Sequence, residues 1–223
     1  ITYVLKLKNN SKISKFVTNN KKSIAVRFPK HKLLRNLLKN LDYPVAAPSA
    51  NISSRLSSVK PSDVKEEFGS KIKYILNGGK SKIGVESTIL NLLEKPSLLR
   101  YGGLDTKKIE NVLKKKLLIN TNSKKKLSPG LFPLHYSPGI PLRVNVKKPK
   151  KDEAYLLIKK RKSKLKNYYY LSKVKNIDEA AKNLYSTLRK IKNDGFKKIA
   201  VEKIPNKGLG KTINDRLKRA SKY

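Results

Sequence analysis

Residues 177 to 191 read Ile177-Asp178-Glu179-Ala180-Ala181-Lys182-Asn183-Leu184-Tyr185-Ser186-Thr187-Leu188-Arg189-Lys190-Ile191. Apolar side chains recur there at helical spacing, which predicts an amphipathic helix with one buried face. That face comprises Ala180, Ala181, Leu184, Leu188 and Ile191. Around this helix we predict strands at 154–158, 168–171 and 198–201, and a last helix at 210–220. The order strand, strand, helix, strand, helix within about 80 residues indicates a small α/β domain.

The first half of the chain also mixes predicted strands and helices. Strands are predicted at 2–8, 23–28, 74–76, 85–93 and 98–101, with a short strand at 45–51 that runs into a loop. Helices are predicted at 31–41, 61–68 and 105–113. Residues 128–141 hold four prolines and two glycines, which marks a domain boundary. We therefore predict a first domain at 1–122, a linker at 123–142 and a second domain at 143–223.

The composition excludes several classes of site. The chain has 223 residues and no cysteine, so disulfides, thiolate catalysis and zinc-thiolate sites are excluded. His31 and His135 lie too far apart for a local metal motif. No apolar run reaches the roughly 18 residues of a membrane-spanning helix, and no signal peptide is recognisable. Because the chain contains no methionine and begins in a predicted strand, we expect it to be a fragment whose start lies upstream.

The charge is strongly positive, at +39, with 54 Lys and Arg residues against 15 Asp and Glu. Such an excess suggests a polyanionic partner such as RNA or DNA. However, only 9 of the cations are Arg, the residue that pairs bidentately with phosphates and bases. We therefore favour a genome-wide codon bias toward A and T as the main cause. The two explanations are compatible, because a basic enzyme can still meet RNA.

Two stretches of the first half carry groups suited to binding. Arg27 lies in an otherwise apolar predicted strand, where a guanidinium either meets an anion or points outward. From this pattern alone both alternatives stay open. The run Ala47-Pro48-Ser49-Ala50-Asn51, followed by Ser57, concentrates hydroxyl and amide groups in a loop. It is either a polar surface loop or a site that binds a nucleotide or an amino acid through neutral hydrogen bonds.

Two further stretches place polar groups at strand ends, where ligand sites of open α/β sheets cluster. Gly84-Val85-Glu86-Ser87-Thr88-Ile89 puts two hydroxyls at a strand start, and Arg100 ends a strand before Gly102-Gly103. Neither a P-loop nor a GxGxxG motif occurs, so a nucleotide would have to be held in another way. In the predicted linker, His135 and Tyr136 lie between prolines, which indicates either a rigid spacer or a segment of fixed shape that packs on something.

Taken in order, these segments resemble the threonylcarbamoyl-AMP synthase family, the YrdC-like enzymes, in its longer two-domain form. The resemblance spans nearly the whole chain and rests on residues 25–29, 46–51, 84–89, 99–103, 128–130, 135–138, 208–210 and 213–216. It implies an α/β fold: a YrdC-like twisted open mixed sheet with helices, then a linker and a small Rossmann-like α/β domain. It also implies an N-terminal segment absent from this chain, which leaves the activity of the fragment open.

The resemblance implies a nucleotidyltransferase that condenses L-threonine, bicarbonate and ATP to threonylcarbamoyl-AMP and pyrophosphate. By motif, Arg27 would bind the threonine carboxylate and Ser87 would also contact threonine. Asn51 would orient its loop, Tyr136 would close over the nucleotide, and the remaining ATP contacts would be Ser23, Ala47 (through its backbone), Ser49, Ser57 and Arg100. No side chain need act as a nucleophile, and no protein metal site is expected beyond Mg²⁺ arriving with ATP.

The implied partners are ATP, L-threonine, bicarbonate and the proteins that transfer the threonylcarbamoyl group to tRNA. Double-stranded RNA or tRNA is a further partner that the charge allows, and we expect a cytoplasmic protein without membrane contact. One alternative is a basic RNA-binding module without catalysis, which would bind non-specifically and lose affinity steeply with salt. Another is an inactive truncation that exposes a sheet edge and aggregates.

Overall fold

A computed structural model describes residues 1–121, 135–162 and 165–221. Its elements alternate between strands and helices along the whole described chain. In chain order they are β1 (Thr2–Lys6), α1 (Lys15–Thr18), β2 (Ser23–Arg27), α2 (Lys32–Lys39), α3 (Pro61–Phe68), a 3-10 turn (Gly69–Lys71), β3 (Ile89–Asn91), β4 (Ser97–Arg100), α4 (Thr106–Leu113), β5 (Leu118–Ile119), β6 (Leu142–Arg143), β7 (Ala154–Lys159), β8 (Tyr168–Ser172), α5 (Ile177–Asn193), β9 (Ile199–Val201) and α6 (Gly210–Ala220).

The strands form two sheets, which confirms the predicted α/β class. The first sheet is mixed, with strand order β2-β1-β3-β4-β5. In it β1 pairs antiparallel with β2 and parallel with β3, and β3 pairs antiparallel with β4. The second sheet has the order β6-β9-β7-β8, and all of its strand pairs are parallel.

The described residues divide into two compact units that do not follow the chain in simple order. The first unit holds Ile1–Pro48 and 87–121, and the second holds Ser49–Glu86, 135–162 and 165–221. The chain therefore passes from the first unit to the second and back before the second sheet begins. Most of the predicted linker at 123–142 lies outside the described residues, so the division into domains at 122 and 143 stays a prediction.

The core of the second unit lies between its parallel sheet and α5. Strand β7 is buried from Ala154 to Ile158, as expected for a parallel strand covered on both faces. The predicted apolar face of α5 is buried as well, with each of its five side chains at most 1% exposed. Asn176 caps this helix by accepting hydrogen bonds from the backbone N–H groups of Asp178 and Glu179. Leu56 and Val59 join this core, which explains why residues 49–86 belong to the second unit.

Several predicted helices match the structure closely, whereas some predicted strands were wrong. Residues 61–68 and 210–220 are helical over the predicted ranges. Residues 45–51 and 74–76 form no strand, and Tyr74 and Leu76 are 79% and 53% exposed. Their apolar side chains imitate a strand pattern without a sheet to bury them. The predicted strand 85–93 is limited to Ile89–Asn91, and the short elements α1, β5 and β6 were not predicted.

Truncating the α5 core side chain Leu184, which is fully buried, should destabilise the second unit. We expect Leu184→Ala to lower the free energy of unfolding by about 2–5 kcal/mol, because it removes buried methyl groups and leaves a cavity. Val174→Ala is the control in the same unit, since Val174 is 74% exposed, and it should change stability by less than about 0.5 kcal/mol. Denaturant unfolding of both variants measures the difference, and equal losses would contradict this description of the core.

Candidate functional site

A cluster of polar side chains lies where β1, β3 and β4 of the first unit meet. Ser87, just before β3, receives hydrogen bonds from the Arg100 guanidinium at the end of β4. Arg100 donates from Nε and Nη2 to the Ser87 carbonyl oxygen, at 3.1 and 2.8 Å, and from Nη2 to Ser87 Oγ at 3.2 Å. The Ser87 hydroxyl also lies 2.7 Å from the hydroxyl of Thr2. These bonds hold Ser87 in one orientation.

The strand register places Arg27 next to Thr2 of this cluster, on the neighbouring strand. Thr2 of β1 lies directly opposite Arg27 of β2 in the antiparallel pair, so the two side chains share one face of the sheet. Ser23 begins β2 on the same face, about 13 Å from Arg27 at the usual rise per residue. The Arg27 side chain is exposed, whereas Arg100 is only 8% exposed. Ala47 lies exposed in the loop after α2.

The neighbouring hydroxyl of Thr88 has a structural contact instead. Thr88 Oγ1 donates to the Leu104 carbonyl oxygen at 2.9 Å and accepts from the Leu104 N–H at 3.1 Å. The side chain is 1% exposed. Of the two hydroxyls that the sequence places at this strand start, Ser87 is therefore the one that lies among charged groups.

A second cluster lies in the second unit and centres on the carboxylate of Glu86. Ser57 Oγ donates to Glu86 Oε1 at 2.5 Å, and Tyr185 Oη lies 2.9 and 3.0 Å from the two carboxylate oxygens. Arg216 Nε donates to Glu86 Oε2 at 2.9 Å. The Arg216 guanidinium also lies 4.5 Å from the centre of the Tyr136 ring, a cation–π contact.

Burial and neighbouring charges shift the pKa of two members of this second cluster. Burial and the adjacent Glu86 carboxylate raise the pKa of Tyr185 well above its ordinary value, so its hydroxyl stays protonated and donates. Burial acts to lower the pKa of Arg216, but Glu86, the two tyrosines and Asp215 together outweigh it, and the pKa of Arg216 lies well above its ordinary value. Because the Ser57 hydroxyl donates its one hydrogen bond to Glu86, its oxygen can only accept further hydrogen bonds.

The loop around Asn51 is held by its own side chain. Asn51 is buried, and its Nδ2 donates to the backbone carbonyls of Ile52 at 2.8 Å and Arg55 at 3.2 Å. The Ser58 hydroxyl donates to the carbonyl of Ala50 at 2.6 Å, and Ser49 lies exposed beside it. Asn51 Oδ1 accepts no hydrogen bond within the described residues.

The structure thus places the predicted site residues in two units. Four residues of these clusters were not predicted as site residues: Thr2, Glu86, Tyr185 and Arg216. Glu86 and Arg216 do lie within segments that carry the family resemblance, 84–89 and 213–216. An acid flanked by hydroxyl and small residues, in a chain with 15 acids against 54 cations, was the available signal for Glu86. Among residues 1–121, 135–162 and 165–221, no group of three or more His, Asp or Glu side chains could hold a metal ion, and no helix is long and apolar enough to cross a membrane.

The glycine that begins the segment 84–89 should be sensitive to any side chain. Gly84 has φ +80°, and a Cβ there would lie 2.3 Å from the Lys182 carbonyl oxygen. Gly79 has a similar φ of +75° but nothing within 4 Å of such a Cβ, so it is a matched control. Gly79→Ala should cost only the backbone strain, about 1–2 kcal/mol. Gly84→Ala adds the collision, so denaturant unfolding should show a larger loss, and equal losses would contradict the close packing of Gly84 on α5.

Two family models and several known proteins match nearly the whole chain. The Sua5/YciO/YrdC family model, described as Telomere recombination, matches residues 1–102, and the model described as Threonylcarbamoyl-AMP synthase, C-terminal domain, matches residues 104–222. Threonylcarbamoyl-AMP synthase of Pyrococcus abyssi is 32% identical, with 98% of this chain and 70% of the relative covered. The Bacillus subtilis protein of the same name is 29% identical, with 99% and 69% covered.

A solved structure agrees with these matches. The crystal structure of P. abyssi Sua5 complexed with L-threonine superposes with a TM-score of 0.87 at 31% identity, covering 100% of this chain and 70% of that one. A structure of a P. abyssi Sua5 variant with a His and the adjacent Tyr replaced by alanine gives a TM-score of 0.83 at 30% identity, covering 100% and 69%. The predicted fold class and the predicted resemblance are both confirmed. The chain belongs to the threonylcarbamoyl-AMP synthase family.

Proposed function

We propose that this protein is an L-threonylcarbamoyladenylate synthase. It condenses L-threonine, bicarbonate and ATP to threonylcarbamoyl-AMP and pyrophosphate. Bicarbonate loses water to give carbon dioxide, and the threonine amine attacks it and loses a proton to form a carbamate. An oxygen of the carbamate then attacks the α-phosphorus of ATP, and the bond from that phosphorus to the bridging oxygen breaks, which releases pyrophosphate. This chemistry is mainly positioning and charge stabilisation, so it needs no side-chain nucleophile. It fits a site made of arginines, hydroxyls and backbone amides.

The observation that carries the proposal is the polar cluster at the ends of β1, β3 and β4. There a buried guanidinium, that of Arg100, fixes Ser87, and strand register places Arg27 on the same face as Thr2. We assign the threonine side to this cluster. Arg27 binds the α-carboxylate through its planar fork, and Ser87 contacts threonine with its oriented hydroxyl. The L-threonine in the P. abyssi Sua5 crystal structure supports the choice of amino acid.

We assign the ATP side to the remaining predicted residues. Arg100 supplies a buried positive charge for the phosphates, and Ser23, Ser49 and the Ala47 backbone offer neutral hydrogen-bonding groups. Ser57 accepts a hydrogen bond from the nucleotide rather than donating one, because its hydroxyl already donates to Glu86. Its natural contact is therefore a ribose hydroxyl or the adenine amino group. Asn51 orients the loop that carries Ser49.

Tyr136 lies in the same cluster as Ser57, and we propose that it covers the nucleotide. Tyr136 follows His135 in the one His-Tyr dipeptide of the sequence, and the centres of the two rings lie 4.0 Å apart. An adjacent His and Tyr are also the residues replaced in the P. abyssi Sua5 variant structure. Mg²⁺ would be held chiefly by the ATP phosphates and water, which suits the lack of a carboxylate cluster in the described residues. When bound, it would neutralise the charge that develops on the pyrophosphate.

The further proposed partners are RNA and the proteins that transfer the threonylcarbamoyl group to tRNA. With these partners we propose a cytoplasmic location. An open cleft of about 530 Å³ in the second unit offers a surface for RNA. Five cations and two aromatic side chains line it: Lys147, Lys148, Lys150, Lys151, Arg161, Tyr155 and Tyr168. Cations contact phosphates and aromatic rings stack on bases, so this cleft is suited to a transient contact with tRNA.

Arg27 is the residue whose loss should weaken threonine binding most. Arg27→Ala removes a bidentate charged contact and should raise the Kd for L-threonine, measured calorimetrically in the presence of ATP and Mg²⁺, by about tenfold or more. Arg27→Lys should recover only part of this, since an ammonium lacks the planar fork. Lys115→Ala is the control, because Lys115 is exposed at the end of α4. Equal effects of Arg27→Ala and Lys115→Ala would count against the assigned site.

RNA binding should depend on charge rather than on sequence. The affinity for unmodified tRNA should fall by orders of magnitude between about 50 and 200 mM salt, because phosphate contacts release counterions. Replacing Lys147 and Lys150 together by alanine should make this dependence less steep. Fluorescence anisotropy with labelled tRNA measures both effects. A salt-independent affinity, or a double variant with the unchanged dependence, would argue against RNA contact at this cleft.

A further inference from the structure

The conspicuous unexplained feature of the second unit is a fully buried arginine in its last helix. Arg216 of α6 is 1% exposed, although the guanidinium is charged. It contacts Glu86 at 2.9 Å, the adjacent Asp215 and the face of Tyr136. The sequence motif that contains it, residues 213–216, has no part in the reaction described so far.

Stability alone does not explain such an arrangement. Removing two charges from water is expensive, and a buried ion pair replaced by well-packed apolar residues is often as stable or more stable. Its specific effect is geometric, because a charged hydrogen bond between buried groups tolerates little displacement. The relevant question is therefore which groups Arg216 holds in place.

Arg216 holds two of the three residues of the second unit that are proposed above as ATP contacts, Ser57 and Tyr136. Through Glu86 it fixes Ser57, whose hydroxyl donates to the same carboxylate at 2.5 Å. Through its guanidinium face it fixes the Tyr136 ring, which also packs against Tyr185 with ring centres 5.9 Å apart. Tyr136 needs such support, since its backbone has φ +64°, a strained conformation for a bulky residue.

Tyr185 strengthens the arrangement from a third direction. Its hydroxyl donates to the Glu86 carboxylate, and its protonated state is secured by burial and by that carboxylate. Glu86 thus accepts from Ser57, Tyr185 and Arg216, which come from a loop, from α5 and from α6. The carboxylate cannot shift toward one partner without losing another.

We propose that Arg216 is a positioning residue for ATP, acting through Glu86 on Ser57 and directly on the ring of Tyr136. This inference rests on the proposed function, because it takes the ATP roles of Ser57 and Tyr136 from there. It gives the last helix of the chain a role in nucleotide binding. Arg216 itself need not touch ATP.

The test separates positioning from folding with three variants. Arg216→Met removes the guanidinium and leaves the largely buried Glu86 carboxylate without this cation beside it, so the melting temperature should fall. The double variant Glu86→Gln/Arg216→Met removes both charges, so it should recover much of that loss. Arg143→Met is the control for loss of an ion pair in the same unit: Arg143 makes a two-point pair with Glu153, at 2.6 and 2.7 Å, and its side chain is 44% exposed.

Calorimetric titrations with ATP and Mg²⁺, and separately with L-threonine, give the decisive numbers. The double variant should bind ATP about tenfold more weakly than the unsubstituted chain, as expected when a supporting contact is lost, and threonine within about twofold. Arg143→Met should keep both affinities. ATP affinity that recovers together with the melting temperature in the double variant would overturn the inference and leave Arg216 a merely structural residue. No ATP binding by the unsubstituted chain would overturn the proposed function, and this inference with it.

Discussion

The second unit depends on one carboxylate, that of Glu86, which is only 15% exposed. Glu86 accepts hydrogen bonds from Ser57, Tyr185 and Arg216, the last of them 130 positions away in the chain. Each of these donors is costly to bury without an acceptor, so the carboxylate links three segments of the unit. The apolar face of α5 supplies most of the burial, but it tolerates changes in detail as long as volume is kept. The polar centre is what requires a single arrangement, and it lies where two of the proposed ATP contacts are held.

A comparable constraint shapes the first unit. The Ser87 carbonyl oxygen accepts hydrogen bonds from the Arg100 guanidinium, and β3 begins two residues later, at Ile89. Ser87, the buried Arg100 and the opposed pair Thr2 and Arg27 thus lie at one end of the mixed sheet. Ligands of open α/β sheets bind at such strand ends, where backbone and side-chain polar groups are not consumed by the sheet. The start of the short strand β3 and the candidate threonine contacts therefore lie at the same end of the sheet.

The sequence predicted the elements with long, regular patterns and missed those set by tertiary contacts. Helices 61–68 and 210–220 matched because start signals and spacing are local, whereas 74–76 imitated a strand without a sheet to join. Ser87 and Arg100 are 13 residues apart, and the three donors to Glu86 lie 29 to 130 residues from it. No local sequence pattern predicts such contacts. The structure separates two kinds of cation. Largely buried arginines make hydrogen bonds or ion pairs: Arg100, Arg189, Arg216 and Arg219. Lysines such as Lys114, Lys115 and Lys116 lie exposed. This distribution suits the view that codon bias supplies most of the lysines.

The central claim that follows from the family membership and the two polar clusters is that the chain joins an amino acid to AMP through a carbamate group. The most direct measurement is pyrophosphate release from ATP, together with mass-spectrometric detection of the nucleotide product, in four reactions. One is complete, and the others omit L-threonine, bicarbonate or Mg²⁺. Our account predicts pyrophosphate and a product with the mass of threonylcarbamoyl-AMP in the complete reaction, and neither in any omission. Pyrophosphate release that is independent of threonine and bicarbonate, or no adenylate in the complete reaction, would contradict it.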